Sequence, residues 1–79
     1  MREYLKALRL EAGFTLQDMA DRFGISRQYY EMIESGDRQR KMDITLISKI
    51  SDVFGIPMAD IVENEKAIYA DEWEKKEAT

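Results

Sequence analysis

Apolar residues return along this chain at helical spacing, and each run stops at one of four glycines, Gly13, Gly24, Gly36 and Gly55. Glycine just past a helix adopts the left-handed closing conformation most easily, so four helix ends are expected. Before Gly13, Met1, Leu5, Leu8 and Ala12 fall on one face of an opening helix whose other face is charged. Between Gly13 and Gly24, Leu16, Met19, Ala20 and Phe23 stand at i, i+3, i+4 and i+7, with Thr15 and Asp18 forming a capping-box-like start. Ser26 is a good N-cap for a third helix that turns Tyr30 and Ile33 to one side. Asp43 caps a fourth that sends Ile44, Ile47, Ile50 and Phe54 inward, with Leu46 and Val53 widening the stripe. Pro57 stands at a first helical position, and Met58, Ile61 and Val62 give a fifth short apolar face. No strand is expected, because nowhere do residues alternate with β-branched enrichment between turn signals. The pattern predicts an all-α chain, a compact bundle of five short helices.

Residues 64–79 read differently from 1–63. From Glu65 on, the chain is rich in Glu, Lys and Ala, and a sixth helix there would carry Tyr69 and Trp73 on one side. A frayed acidic terminus is one reading of this tail. A docking or dimerisation helix is the other, and a lone Trp73 in a solvated tail favours it, since tryptophan is a common interface anchor.

Composition removes whole classes of chemistry. The 79 residues include no Cys and no His, so thiolate nucleophiles, disulfides, imidazole bases and soft metal sites are excluded. No cofactor and no metal are expected, and an enzyme is not, because paired carboxylates need a sheltered cleft that a helical chain this small hardly offers. The first residues are charged where a signal peptide is apolar, and no run approaches the roughly 20 apolar residues that span a bilayer. A cytoplasmic protein without membrane attachment is the expectation.

The informative stretch is Leu16 to Ser35. Two short helices joined at Gly24, with Met19, Phe23, Ile25, Tyr30 and Ile33 pinning them and small Ala20 at the close approach, make a helix-turn-helix unit. If Tyr30 and Ile33 face inward, a helix turning about 100° per residue sends Arg27, Gln28, Glu31 and Met32 outward. Arg pairs with guanine, Gln with adenine, Glu accepts from cytosine and Met touches a thymine methyl.

Several spaced motifs carry a resemblance over about residues 4 to 63. They are Leu8-Arg9, Gly13-Phe14-Thr15-Leu16, Asp18-Met19-Ala20, Gly24-Ile25-Ser26, Ile33-Glu34-Ser35-Gly36, Phe54-Gly55-Ile56 and Asp60-Ile61-Val62. In these the chain resembles the phage Cro- and repressor-type helix-turn-helix regulators, the family named after xenobiotic-response-element binding. The resemblance implies a lambda-repressor-like five-helix DNA-binding bundle with residues 26–34 as recognition helix. It implies base contacts from Arg27, Gln28 and Met32, and a base or backbone contact from Tyr29, which could instead pack on the opening helix. Thr15, Leu16 and Gln17 begin the helix whose amides point at phosphate in this family, and Ser26 and Ser35 join them as candidate backbone contacts. The family often has Gln where Leu16 stands, so that side-chain contact is lost unless Gln17 replaces it.

Arg9 and Glu34 match a pair that joins the first and third helices in phage repressors; the alternative is two independent surface charges. Arg38, Gln39, Arg40 and Lys41 put three cations into four residues after the recognition helix, a phosphate clamp or else a solvated loop. A net charge of -4 argues against DNA, but its distribution answers the objection. Residues 1–41 hold eight Lys or Arg against seven Asp or Glu, whereas residues 42–79 hold four against nine. The expected function is a sequence-specific DNA-binding transcriptional regulator, a homodimeric repressor of phage or mobile-element type reading a palindrome in double-stranded DNA. The competing reading is an antitoxin-like module that binds a protein partner through its C-terminal tail.

Overall fold

A computed structural model describes residues 1–74. Among these residues the chain is all-helical, with α1 at Glu3–Glu11, α2 at Leu16–Phe23, α3 at Arg27–Ser35, α4 at Ile44–Phe54, α5 at Met58–Ile68 and α6 at Ala70–Glu74. It divides into two compact units, Met1–Gln39 and the chain from Arg40 on.

In the first unit, α3 packs on both α1 and α2. Leu5, Met19, Ala20, Phe23, Tyr30 and Ile33 form its core. Ala20 is fully buried, and Gly24 follows in the left-handed region at φ 71°, so the Ile25 N–H turns back to the Ala20 carbonyl at 3.0 Å. That sharp reversal lets Phe23 meet Tyr30 with ring centroids 5.8 Å apart and planes tilted by 60°, a favourable aromatic geometry. In the second unit, α4 packs on α5 and α5 on α6. Met42, Leu46, Ile47, Ile50 and Ile61 are its buried apolar residues.

The opening helix corrects the periodic reading. Met1 and Ala12 are exposed, and the face turned inward is Arg2, Leu5 and Arg9. Arg2 and Arg9 are buried there because backbone carbonyls and a carboxylate receive their donors. Ile44, expected inside, is 68% exposed: it is the first residue of α4, before the helix turns onto its partner. Pro57 is the N-cap of α5 rather than its first helical residue. The sixth helix is short and begins at Ala70; α5 continues to Ile68, and Glu65 within it is fully buried. The break falls at Tyr69, whose φ of -122° leaves the helical region.

Capping follows the sequence closely. Thr15 Oγ1 accepts from the Asp18 N–H at 3.0 Å while the Asp18 carboxylate accepts from the Thr15 N–H at 2.9 Å, closing the box. The hydrogen bond from the Thr15 backbone, then that with its side chain, holds the Asp18 carboxyl below its ordinary 3.8. A depressed carboxyl contributes stability above its unfolded pKa and loses it as pH falls through the lower folded value. We expect Thr15→Ala to cost about 1 kcal/mol. Asp18→Asn should flatten the acid limb of the thermal-unfolding profile relative to the parent chain. Parallel acid limbs would show that this cap does not titrate with folding.

Candidate nucleic-acid interface

α3 starts at Ser26, whose Oγ accepts from the Tyr29 N–H at 3.0 Å, and ends at Gly36, left-handed at φ 96°. Its inward side is Tyr30, Ile33 and Glu34. A buried carboxylate needs a matched cation and further donors to replace water. Glu34 receives Arg9 through two parallel hydrogen bonds, Nε to Oε2 at 2.9 Å and NH2 to Oε1 at 3.0 Å. The Tyr30 hydroxyl donates to Oε2 at 2.8 Å. The remaining Arg9 nitrogen donates to the Phe14 carbonyl at 3.2 Å, reaching the turn between α1 and α2. Burial first, and then its bond to Glu34, push the Tyr30 hydroxyl pKa upward, so it stays a proton donor. The hydrogen bond to Glu34 raises that of Arg9. This cluster joins α1 to α3 and fixes which side of α3 faces out.

Arg27, Gln28 and Glu31 stand exposed on that outer side, with Met32 half-buried beside them. Arg27 lies 3.6 Å from Glu31 one turn on, with both side chains about half exposed. Such a pair contributes only about 0.3–0.5 kcal/mol, so a base could take either partner at little cost. Gln28, Met32 and Ser35 line an open groove with Leu16 and with Lys6 of α1. No sequence pattern marks Lys6; only the fold brings it to the groove that Gln28 lines.

At the start of α2, the Leu16 and Gln17 amides belong to the first turn, where N–H groups lack helical partners. The Gln17 side chain is tied to Asp21 at 2.9 Å, so in the free protein it is folded along α2 rather than extended outward. Ser35 Oγ donates to the Met32 carbonyl at 3.1 Å and accepts from the Asp37 N–H at 3.3 Å, closing the end of α3. Tyr29 is half-buried, and its hydroxyl accepts from Gln39 Nε2 at 3.0 Å, which leaves its own proton to donate. Arg38 is exposed.

The other cations of this stretch lie in the second unit. Lys41 is exposed, and Arg40 sits 3.9 Å from Glu72 and 5.8 Å from the centre of the Tyr69 ring. Tyr69 and Trp73 are both half-buried, and the Trp73 indole nitrogen has no hydrogen-bond acceptor among the described residues.

The residue that sequence reasoning passed over is Arg2. It is fully buried, and its guanidinium donates to the carbonyls of Arg38, at 3.1 Å, of Ile33 and of Gln39. Gln39 has φ 61°, a left-handed backbone that costs a non-glycine residue about 1–2 kcal/mol. No periodicity marks Arg2, since helical patterns place charge outside by default.

Among the described residues there is no group of three or more metal-binding side chains, and no helix is long and apolar enough to cross a membrane. The Helix-turn-helix family model matches residues 5–61. The chain is 44% identical, over 55 residues covering 70% of each chain, to the protein called uncharacterized HTH-type transcriptional regulator YqaF from Bacillus subtilis (strain 168). No solved structure matches it.

Breaking one side of a buried ion pair strands the other charge, whereas replacing both by apolar residues does not. Arg9→Met and Glu34→Leu should each lower unfolding stability by about 3–5 kcal/mol, and the double variant by clearly less than their sum. Additive losses in urea unfolding would place the two charges in independent roles.

Proposed function

This chain belongs to the Cro- and repressor-type helix-turn-helix family of DNA-binding regulators, and on that premise we propose how it reads DNA. Two copies bind as a homodimer and set α3 into successive major grooves about 34 Å apart, reading an approximate palindrome. Occupying a promoter in this way makes the protein a cytoplasmic repressor. The observation that carries the reading is the outer side of α3. Arg27, Gln28, Glu31 and Met32 are four side chains able to pair with or touch base edges, and none of them belongs to the buried core.

Backbone contacts supply affinity around that reader. The first-turn amides of Leu16 and Gln17 meet phosphate through the positive end of the α2 dipole, and the Thr15 hydroxyl, which accepts from the Asp18 N–H, donates its proton beside them. Ser26, Tyr29 and Ser35 flank the groove, and Arg38, Gln39, Arg40 and Lys41 follow the phosphates beyond it. With Leu16 in place of a polar side chain, its backbone N–H takes the contact. The chain's net charge of -4 limits phosphate neutralisation by each subunit, so tight binding depends on pairing two of them. Members of this family are transcription regulators, and no step of the proposal requires a catalysed reaction.

Site selection from a randomised duplex library at near-physiological salt should return a two-fold symmetric motif with half-sites about one helical turn apart. On that motif, Gln28→Ala should cost about 1–3 kcal/mol and relax one base position in each half-site. Arg40→Ala should instead weaken all sequences alike and lower the salt slope by about one. Enrichment of no motif by the folded protein would contradict the reading.

A further inference from the structure

Arg2 has the geometry of an anchor rather than of a surface charge. Its backbone N–H donates to the Glu34 carbonyl at 2.8 Å, and its guanidinium reaches Ile33, also in the last turn of α3. A cation there sits at the negative end of the helix dipole and joins the Gly36 N–H on the Ile33 carbonyl. The same planar group then gathers the carbonyls of Arg38 and Gln39, which lie past the helix. A guanidinium offers five donors in a fixed fork and no acceptor, so it can hold several carbonyls in one arrangement, which a single flexible ammonium cannot.

The conformation of the loop agrees with this. Gln39 takes up a left-handed backbone although it is not glycine, its carbonyl is turned to Arg2, and its side chain is hydrogen-bonded to Tyr29. Beside it, the Arg38 side chain is exposed, with one guanidinium nitrogen donating to the Asp37 carbonyl at 3.2 Å, while its own carbonyl accepts from Arg2.

We propose that Arg2 is the positioning residue for the backbone contacts at Arg38 and Gln39: it draws the loop carbonyls inward and so presents these two side chains to the phosphates that flank α3. The assignment rests on the DNA-binding reading above. Arg2 touches no DNA in this scheme and reads no base. Its effect is on the salt-dependent part of binding, not on which sequence is chosen.

The experiment uses the full chain and the duplex selected by the parent protein. Arg2→Lys keeps the charge and loses the fork. With helical content retained, it should bind about ten-fold more weakly, with the salt slope lowered by about one and the selected motif unchanged. Combining it with Arg38→Ala should weaken binding little beyond Arg38→Ala alone, because both remove the same phosphate contact. A wild-type salt slope, or losses that add in full, would overturn the proposal.

A second pair of variants leaves the buried position intact, so that unfolding of Arg2→Lys does not decide the matter. Gln39→Gly and Gln39→Val both remove the side chain, but only glycine accepts the left-handed backbone freely. The valine variant should bind about ten-fold more weakly than the glycine variant and with a smaller salt slope; equal binding by the two would overturn the proposal. Failure of the parent chain to select any duplex overturns the DNA-binding reading together with this one, whereas a selected motif with unaltered Arg2 and Gln39 variants overturns this one alone.

Discussion

Glu34 sits near the end of α3 with almost no access to water, and nothing in the first unit could stay as it is if that charge were unanswered. An isolated buried carboxylate costs several kcal/mol, and Arg9 and the Tyr30 hydroxyl meet that cost with three directed hydrogen bonds. Each bond also has a direction. Arg9 comes from α1 and passes a donor to Phe14, so α1, the turn before α2 and α3 are fixed against one another by one cluster. Once the inner side of α3 is defined by Tyr30, Ile33 and Glu34, its rotation leaves Arg27, Gln28 and Glu31 to solvent. The side proposed to read bases is thus a consequence of what is buried opposite it.

Charge is used in two ways in this small protein. The buried charges of the first unit, Arg2, Arg9 and Glu34, specify arrangement, since each must find a particular partner or be destabilising. Exposed charges are loosely held. Arg27 with Glu31 is a long, solvated pair of the kind that dissolves when a stronger partner arrives. The net negative charge of the chain is compatible with the proposed phosphate-binding side, because the excess of acidic over basic residues falls after residue 41 while the front half is nearly balanced.

Much of the fold was legible because its signals are local. The spacing of Met19, Ala20 and Phe23, the box of Thr15 and Asp18 and the left-handed glycines at 24 and 36 all act within one or two turns. Where reading failed, the deciding partner was far away in the chain. Arg2 is buried because residues more than thirty positions later supply its acceptors, and Met1 and Ala12 are outside because Arg2 and Arg9 occupy the inner side. Ile44 followed the apolar pattern but lies at the very start of its helix, where the stripe has nothing to cover it. The outer side of α3 could be reasoned from helical geometry alone, yet the neighbourhood of Lys6, and the hydrogen bond that ties Gln39 to Tyr29, needed the folded chain.

The central claim is that DNA is met by one side of the first unit, the outer side of α3 with the start of α2 and the loop after Gly36. Amide chemical-shift mapping during titration with a selected operator duplex tests it most directly. The account predicts the largest changes at Thr15 to Gln17, at Ser26 to Met32 and at Ser35 to Gln39, with Leu5, Met19 and Ile33 moving little. Changes concentrated on α5 and α6, with α3 unmoved, would contradict it.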